Sequence, residues 1–218
     1  MTIKISNLSK TIKGAKIIDN INIEMNGGNV YGLCGYNGCG KTMLMRLISG
    51  LILPSEGEIF FDNNILGKDM DFPESMGILI ERPEFLVEHS GFKNLHMLAS
   101  IKGIASDEIL KKTLLRVGLN PEDRKKYQKY SLGMKQRLGI AAAIMETPDI
   151  VILDEPTNAL DLDGIKKVQR IIREECERGA IVIMSCHDYN ILEDVCDVIY
   201  SIQYGRITNT ELTGRSKS

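Results

Sequence analysis

Lys41 and Thr42 close the run Gly35-Tyr36-Asn37-Gly38-Cys39-Gly40-Lys41-Thr42, whose residue types and spacing suit the wrapping of a polyphosphate. Glycines let a backbone curl tightly with its N–H groups pointing inward, so that an anion is held by the main chain itself. The lysine adds a mobile ammonium that can reach the terminal phosphates, and the threonine hydroxyl is a candidate ligand for the Mg2+ that accompanies a nucleotide. A second signal lies further on, where the four aliphatic residues Ile150-Val151-Ile152-Leu153 run into Asp154-Glu155. Asp154 can hold Mg2+ through water, and Glu155 can accept the proton of an attacking water. Two acids in a strand-to-helix turn are ordinary by themselves. Beside a phosphate loop they are the metal group and the base that phosphoryl chemistry uses.

These residues work only if particular elements carry them. The apolar run Val30-Tyr31-Gly32-Leu33-Cys34 predicts a buried strand leading into the loop. The good helix formers Met43-Leu44-Met45-Arg46-Leu47-Ile48-Ser49 predict a helix leaving it, stopped by Gly50. The N-terminus of that helix then adds partial positive charge at the phosphates, and the nucleotide-binding run extends from Gly35 through Met43. The aliphatic strand before Asp154 delivers the carboxylates to the C-terminal edge of a sheet, where open α/β sheets bind ligands.

Upstream, alternating apolar positions at Ile3/Ile5 and Ile17/Ile21/Ile23, broken by Lys13-Gly14, predict antiparallel strands over Ile3 to Met25. Pro54-Ser55-Glu56-Gly57 is a turn, Glu58 to Phe61 a strand ended by Asp62-Asn63-Asn64, and Met76 to Ile80 a short buried strand. From about Phe92 to Met145 the period becomes helical. Leu95, Leu98, Ala99 and Ile101 are expected on one face, and Ile109, Leu110, Leu114 and Val117 on another, with Ser106 as a cap. Past Asp154 come a helix over Gly164 to Arg178, a strand over Ala180 to Ser185, a helix over Asp188 to Asp197 and a strand over Val198 to Ile202. That alternation predicts a parallel sheet covered on both faces.

The 218 residues suit one domain with an inserted lobe. A net charge of -2 gives no footprint for nucleic acid or an anionic membrane surface, and Arg124-Lys125-Lys126 with Lys129 reads as a solvated face, with a docking surface as the alternative. Five cysteines without metal-ligand spacing read as free thiols in a reducing compartment. Cys39, inside the phosphate loop, is expected to be reactive, with alkylation that bound nucleotide prevents. No apolar run is long enough to span a bilayer, and Met1-Thr2-Ile3-Lys4-Ile5 reads as a strand and not a signal peptide.

Further motifs carry a family resemblance over nearly the whole chain. Tyr130-Ser131-Leu132-Gly133-Met134-Lys135-Gln136-Arg137 resembles the signature motif of ABC-type ATPases, and Asn158-Ala159-Leu160-Asp161 resembles their dimer-contact loop. His187, after the strand ending at Ser185, matches their switch histidine. The resemblance implies a P-loop NTPase core with an N-terminal antiparallel β subdomain and an inserted helical subdomain. Its expected bounds are 1–82 and 146–205 for the core, 83–145 for the helical signature lobe and 206–218 for a C-terminal strand and tail. It further implies two copies facing head to tail, with ATP between the phosphate loop of one and the signature of the other. Ser131 and Gly133 would contact the γ-phosphate from the start of a helix over Lys135 to Met145, His187 would join Glu155 and Lys41 in catalysis, and Asp161 would touch the partner's phosphate loop.

Three departures from the family pattern shape the expectation. Leu132 and Met134 stand where glycine and glutamine are common, sparing both expected contacts. Ile12 replaces the aromatic that usually stacks on adenine, so discrimination among bases should be weak. Glu81 replaces the glutamine that senses Mg2+ and couples to the membrane subunit, which makes it a third metal candidate beside Thr42 and Asp154. Its Leu-Ile-Glu-x-Pro setting looks like the ATPase subunits of lantibiotic and related peptide-antibiotic exporters. The resemblance thus implies a Mg2+-dependent ATPase, most simply a homodimer, at the cytoplasmic face of the membrane. It would drive a separate transmembrane permease that docks between Glu81 and Met97. Rival readings fit less well. A soluble ATPase acting on nucleic acid usually brings a second cassette, a coiled-coil arm or a basic surface, and a small-molecule kinase has no use for the signature or His187. A nucleotide-gated module without turnover has no use for Glu155.

Overall fold

The computed structural model describes residues 1–215, so the expected tail from residue 216 onward lies outside them. In chain order the elements are β1 (Thr2–Ile12), β2 (Ala15–Asn26), β3 (Asn29–Cys34), α1 (Lys41–Ile48), β4 (Glu56–Phe61), β5 (Asn64–Ile65) and β6 (Met76–Leu79). Then follow α2 (Gly91–Lys102), α3 (Asp107–Arg116), α4 (Leu132–Ile144), β7 (Ile150–Leu153), α5 (Leu162–Glu177), β8 (Ile181–Ser185), α6 (Tyr189–Val195), β9 (Val198–Gln203) and β10 (Arg206–Leu212).

Two sheets organise these elements. An antiparallel sheet runs β2-β1-β4-β5, and a larger one runs β10-β9-β3-β8-β7-β6 with every pair parallel except β9 with β10. The β1–β2 hairpin turns at Lys13-Gly14, both at positive φ (49° and 82°) as a tight hairpin turn requires. β7 and β8 are buried along their whole lengths. Successive side chains alternate between two cores: Ile150, Ile152, Ile181 and Ile183 pack towards α1 and the antiparallel sheet. Val151, Leu153, Val182 and Met184 pack towards α4 and α5. A strand with no polar face must be covered on both sides, and here it is.

The structure revises several details. β6 is the edge of its sheet and only partly buried, with Ile78 exposed; one neighbouring strand covers it where a central strand would have two. Its Gly77 is demanded by packing, because a Cβ there would stand 1.7 Å from the Ala143 carbonyl oxygen of α4. A two-residue strand, β5, follows the Asp62-Asn63 turn where none was expected. α2 buries Gly91, Asn94, Leu95 and Ala99, whereas Leu98 and Ile101 face outward, Ile101 at 79% exposure. The period was right and its phase was not. On α3, Leu110 and Leu114 are buried with Val117, and Ile109 is exposed. Ser106 caps α3 by accepting from Ile109 N–H. α4 begins at Leu132, three residues earlier than expected, with Ser131 as its cap. α2, α3 and α4 all fall between β6 and β7, so the sheet is complete without them.

Candidate functional site

The phosphate loop follows β3 and opens into α1. Gly35 has φ 149°, and a Cβ there would meet the Ile202 carbonyl oxygen at 2.3 Å, so only glycine lets the loop lie against β9. Gly40, the residue before α1, has no capping side chain, which leaves the first N–H groups of α1 open for an anion. Lys41 is buried, and its Nζ donates to the carbonyls of Gly35 (2.7 Å) and Tyr36 (3.3 Å). The ammonium is therefore held over the concavity of the loop.

Asp154 and Glu155 arrive at the C-terminal end of β7, as its aliphatic run predicts. Thr42 Oγ1 donates to Asp154 Oδ2 at 2.7 Å, and Ser185 Oγ at the end of β8 donates to Asp154 Oδ1 at 2.5 Å. Ser185 Oγ also accepts the Glu155 N–H at 2.9 Å, so one hydroxyl fixes both acidic residues. Glu155 has φ 51°, a conformation uncommon outside glycine. Gln136 of α4 donates from Nε2 to the Glu155 carbonyl at 3.0 Å. The Glu155 carboxylate pairs through Oε1 with His187 Nε2 at 2.9 Å, while Oε2 is buried with no partner. Burial pushes the Glu155 carboxyl above the ordinary range; His187 and Lys41 oppose the shift, and Asp154 adds to it.

Lys41, Thr42, Asp154, Glu155 and His187 line a cleft of about 270 Å³ with Ile17, Asn37, Gly38, Gly40 and Met43. A larger cavity of about 670 Å³ lies next to it, sharing Asp154 and Glu155 but lined otherwise by Glu81 to Phe85, Val87, Tyr127, Leu132, Lys135 and Gln136. The smaller cleft holds the phosphate loop, and with it the chemistry. Its oxygen donors, the Thr42 hydroxyl and the Asp154 carboxylate, are the hard ligands Mg2+ takes. The orphaned Glu155 Oε2 is an acceptor waiting for a proton donor. The residues fit a Mg2+–nucleotide.

The structure brings together Asn37, Gly38, Gly40, Lys41, Thr42, Met43, Asp154, Glu155 and His187. Ser131 and Gly133 lie elsewhere, at the start of α4. Ser131 Oγ accepts Met134 N–H at 3.2 Å, leaving its hydroxyl proton free to donate outward. Asp161 caps α5 by accepting from Gly164 N–H at 2.8 Å and lies 3.4 Å from Arg137. Glu81 faces the larger cavity and is ion-paired with Arg46 at 2.5 Å, so it does not join Thr42 and Asp154.

Cys39 corrects its expectation. The thiol is buried at 1% exposure, turned under the loop towards Gly35, without the exposure that ready alkylation requires. No disulfide joins any of the five cysteines. Ile12 is exposed at the end of β1, and Tyr36 in the loop is half-exposed, its hydroxyl accepting Tyr204 N–H at 3.1 Å. Ser185 and Arg46 lie outside every motif, and Gln136, within the signature run, was given no role of its own. Only the position of Ser185 at the end of the strand beside β7 could have pointed to it.

Residues 18–158 match the protein family described as ABC transporter. The chain is 45% identical over 209 residues to the uncharacterized ABC transporter ATP-binding protein YybJ of Bacillus subtilis, covering 96% of each. It is 38% identical to the bacitracin transport ATP-binding protein BcrA of Enterococcus faecalis, covering 94% of this chain and 67% of that protein. With the lantibiotic transport ATP-binding protein SrtF of Streptococcus pyogenes it is 35% identical, covering 94% of this chain and 88% of that one. Among solved structures, a dimeric ATP-binding cassette in a post-hydrolysis state bound to ADP and Pi superposes with a TM-score of 0.87 at 22% identity, over 99% of both chains. At that identity the likeness establishes the fold.

Proposed function

The chain belongs to the ATP-binding proteins of ABC transporters, and from that premise we propose that it hydrolyses ATP as one of two head-to-tail copies that drive separate membrane subunits. The observation that carries this reading is the gathering of Lys41, Thr42, Asp154, Glu155 and His187 around one cleft at a helix N-terminus. Among the described residues no helix is long and apolar enough to cross a membrane.

The loop amides and the N-terminus of α1 bind the phosphates, and Lys41 exchanges its carbonyl partners for phosphate oxygens. Thr42 and Asp154 would hold Mg2+, which when bound offsets the charge of the phosphate oxygens. Glu155, with one oxygen fixed by His187 and one free, takes a proton from the attacking water. The new O–P bond forms as the bond from the γ-phosphorus to the ADP oxygen breaks, and the electron pair leaves with ADP. A buried carboxylate with a raised pKa is a stronger base than an exposed one. Ser131 and Gly133 of a second copy would close the site, donating a hydroxyl and a backbone N–H at a helix N-terminus. ATP and Mg2+ are the ligands this reading requires.

We further propose export of peptide antibiotics, with the chain at the cytoplasmic face and the segment from Glu81 to Met97 docking the permease. The bacitracin and lantibiotic relatives and the glutamate at Glu81 support this. The test is expression of the chain with its permease in a sensitive bacterium. Bacitracin or lantibiotic tolerance should rise and be lost with Lys41→Ala. Unchanged tolerance with a complex that hydrolyses ATP would reject the substrate class and leave the ATPase standing.

A further inference from the structure

Arg46 lies on α1 four residues beyond Thr42, on the same face of the helix and one turn further along. Glu81 follows β6 by two residues, and β6 is locked to the metal-side strand because Asp154 N–H donates to the Leu79 carbonyl at 2.7 Å. A closed ring of contacts results: Thr42 to Asp154, Asp154 to Leu79, along the chain to Glu81, across to Arg46, and back down α1 to Thr42. Glu81 completes the ring in a left-handed backbone conformation, φ 63°. That conformation costs a non-glycine residue energy.

Stability does not explain the pair. Its side chains are 31% and 63% exposed, and ion pairs of that exposure add little to folding. Local charge does. Asp154, Glu155 and Glu81 border one continuous cavity that adjoins the phosphate loop. Lys41 rests on the loop carbonyls, from which it would turn to the phosphates, and His187 pairs with Glu155, so neither answers the charge of Glu81. A third carboxylate near an incoming polyphosphate would repel it unless a cation answers its charge.

Resting on the proposed ATP-binding reading and going beyond it, we infer that Arg46 is a positioning residue that neutralises Glu81 and fixes its carboxylate against α1, one turn from Thr42. This arrangement lets the chain carry glutamate at that position without losing affinity for Mg-ATP. It also ties the mouth of the larger cavity to the helix that holds the phosphates.

The test measures ATP affinity in a Glu155→Gln background, so that nucleotide persists, with Mg2+ and with EDTA, for the parent, Arg46→Ala, Glu81→Gln and the combined variant. Arg46→Ala should weaken ATP binding by about tenfold, less at high salt, where exposed charges are screened. With Glu81→Gln already present, the same change should alter affinity by no more than about twofold. Arg46→Gln keeps most of the side-chain stem and gives the same comparison should Arg46→Ala fold poorly. An equal loss in both backgrounds would mean that Arg46 acts on the phosphates directly, and no loss in either that the pair is idle; each overturns the inference. A folded parent that binds no ATP would instead overturn the proposed function.

Discussion

The two halves of the candidate site are built in opposite ways. On the phosphate side, the side chains already have partners within the chain: Lys41 on the loop carbonyls, Thr42 and Ser185 on Asp154, His187 on Glu155. Glu155 Oε2 and the loop amides are left open towards the cleft. On the signature side, Ser131 and Leu132 face solvent at the start of α4, and the Ser131 hydroxyl donates to no partner among the described residues. The first half is preorganised. The second is presented outward. On the proposed reading a lone chain positions nucleotide, metal and base, and the groups that close over the γ-phosphate come from another copy. Gln136 links the halves, since it sits on the signature helix and holds the Glu155 carbonyl.

The largest expected effect removes the chemistry from the preorganised half. Glu155→Gln keeps the shape and cannot take a proton, so phosphate release should fall by about 10²–10⁴-fold while ATP still binds. Near-normal turnover would mean that the base lies elsewhere. Next, Ser131→Ala removes a donor from the presented half. Turnover should fall by about 10²–10³-fold if it meets developing charge, and affinity of the lone chain for ATP should hold, because Ser131 is absent from its own cleft. Loss of affinity in the lone chain would erase the contrast between the halves.

The preorganisation itself is tested by Ser185→Ala. It leaves Asp154 Oδ1 and Glu155 N–H without their shared partner, and denaturant unfolding should show a loss of about 1–3 kcal/mol. An unchanged midpoint would mean that water replaces the hydroxyl at no cost. The smallest effect concerns the base. Ile12 offers no aromatic ring, and stacking on one is worth about 0.5–1.5 kcal/mol, so GTP should compete within roughly tenfold of ATP. Strong ATP preference in a competition assay would point to another stacking group, for which the half-exposed Tyr36 is placed.

Much of this was legible in the sequence where chemistry demands contiguous residues. Gly35 to Thr42 and Asp154-Glu155 announce themselves because a phosphate cradle and a strand-end acid pair are local patterns. The groups that hold them in place are not local. Ser185 reaches Asp154 across 31 positions, and Arg46 reaches Glu81 across 35. Neither residue type is unusual, so only the parallel pairing of β7 with β8, and the return of β6 beside them, brings the partners together. Helical period was readable and helical phase was not. On α2 the buried stripe includes the polar Asn94, whose side chain accepts Leu86 N–H and donates to the Leu86 and Ser90 carbonyls. A reading by hydrophobicity alone places Leu98 and Ile101 inside in its stead. Cys39 misled for a related reason: its place in the loop suggested exposure, and the side-chain direction decides otherwise.

The contrast between the two halves requires two copies to share each nucleotide. Sedimentation velocity on the Glu155→Gln chain tests this directly, with Mg-ATP, with Mg-ADP and with neither. The sedimenting mass should double with Mg-ATP alone, and the doubling should vanish when Ser131→Arg is added. A chain saturated with Mg-ATP that still sediments as a single copy would contradict it.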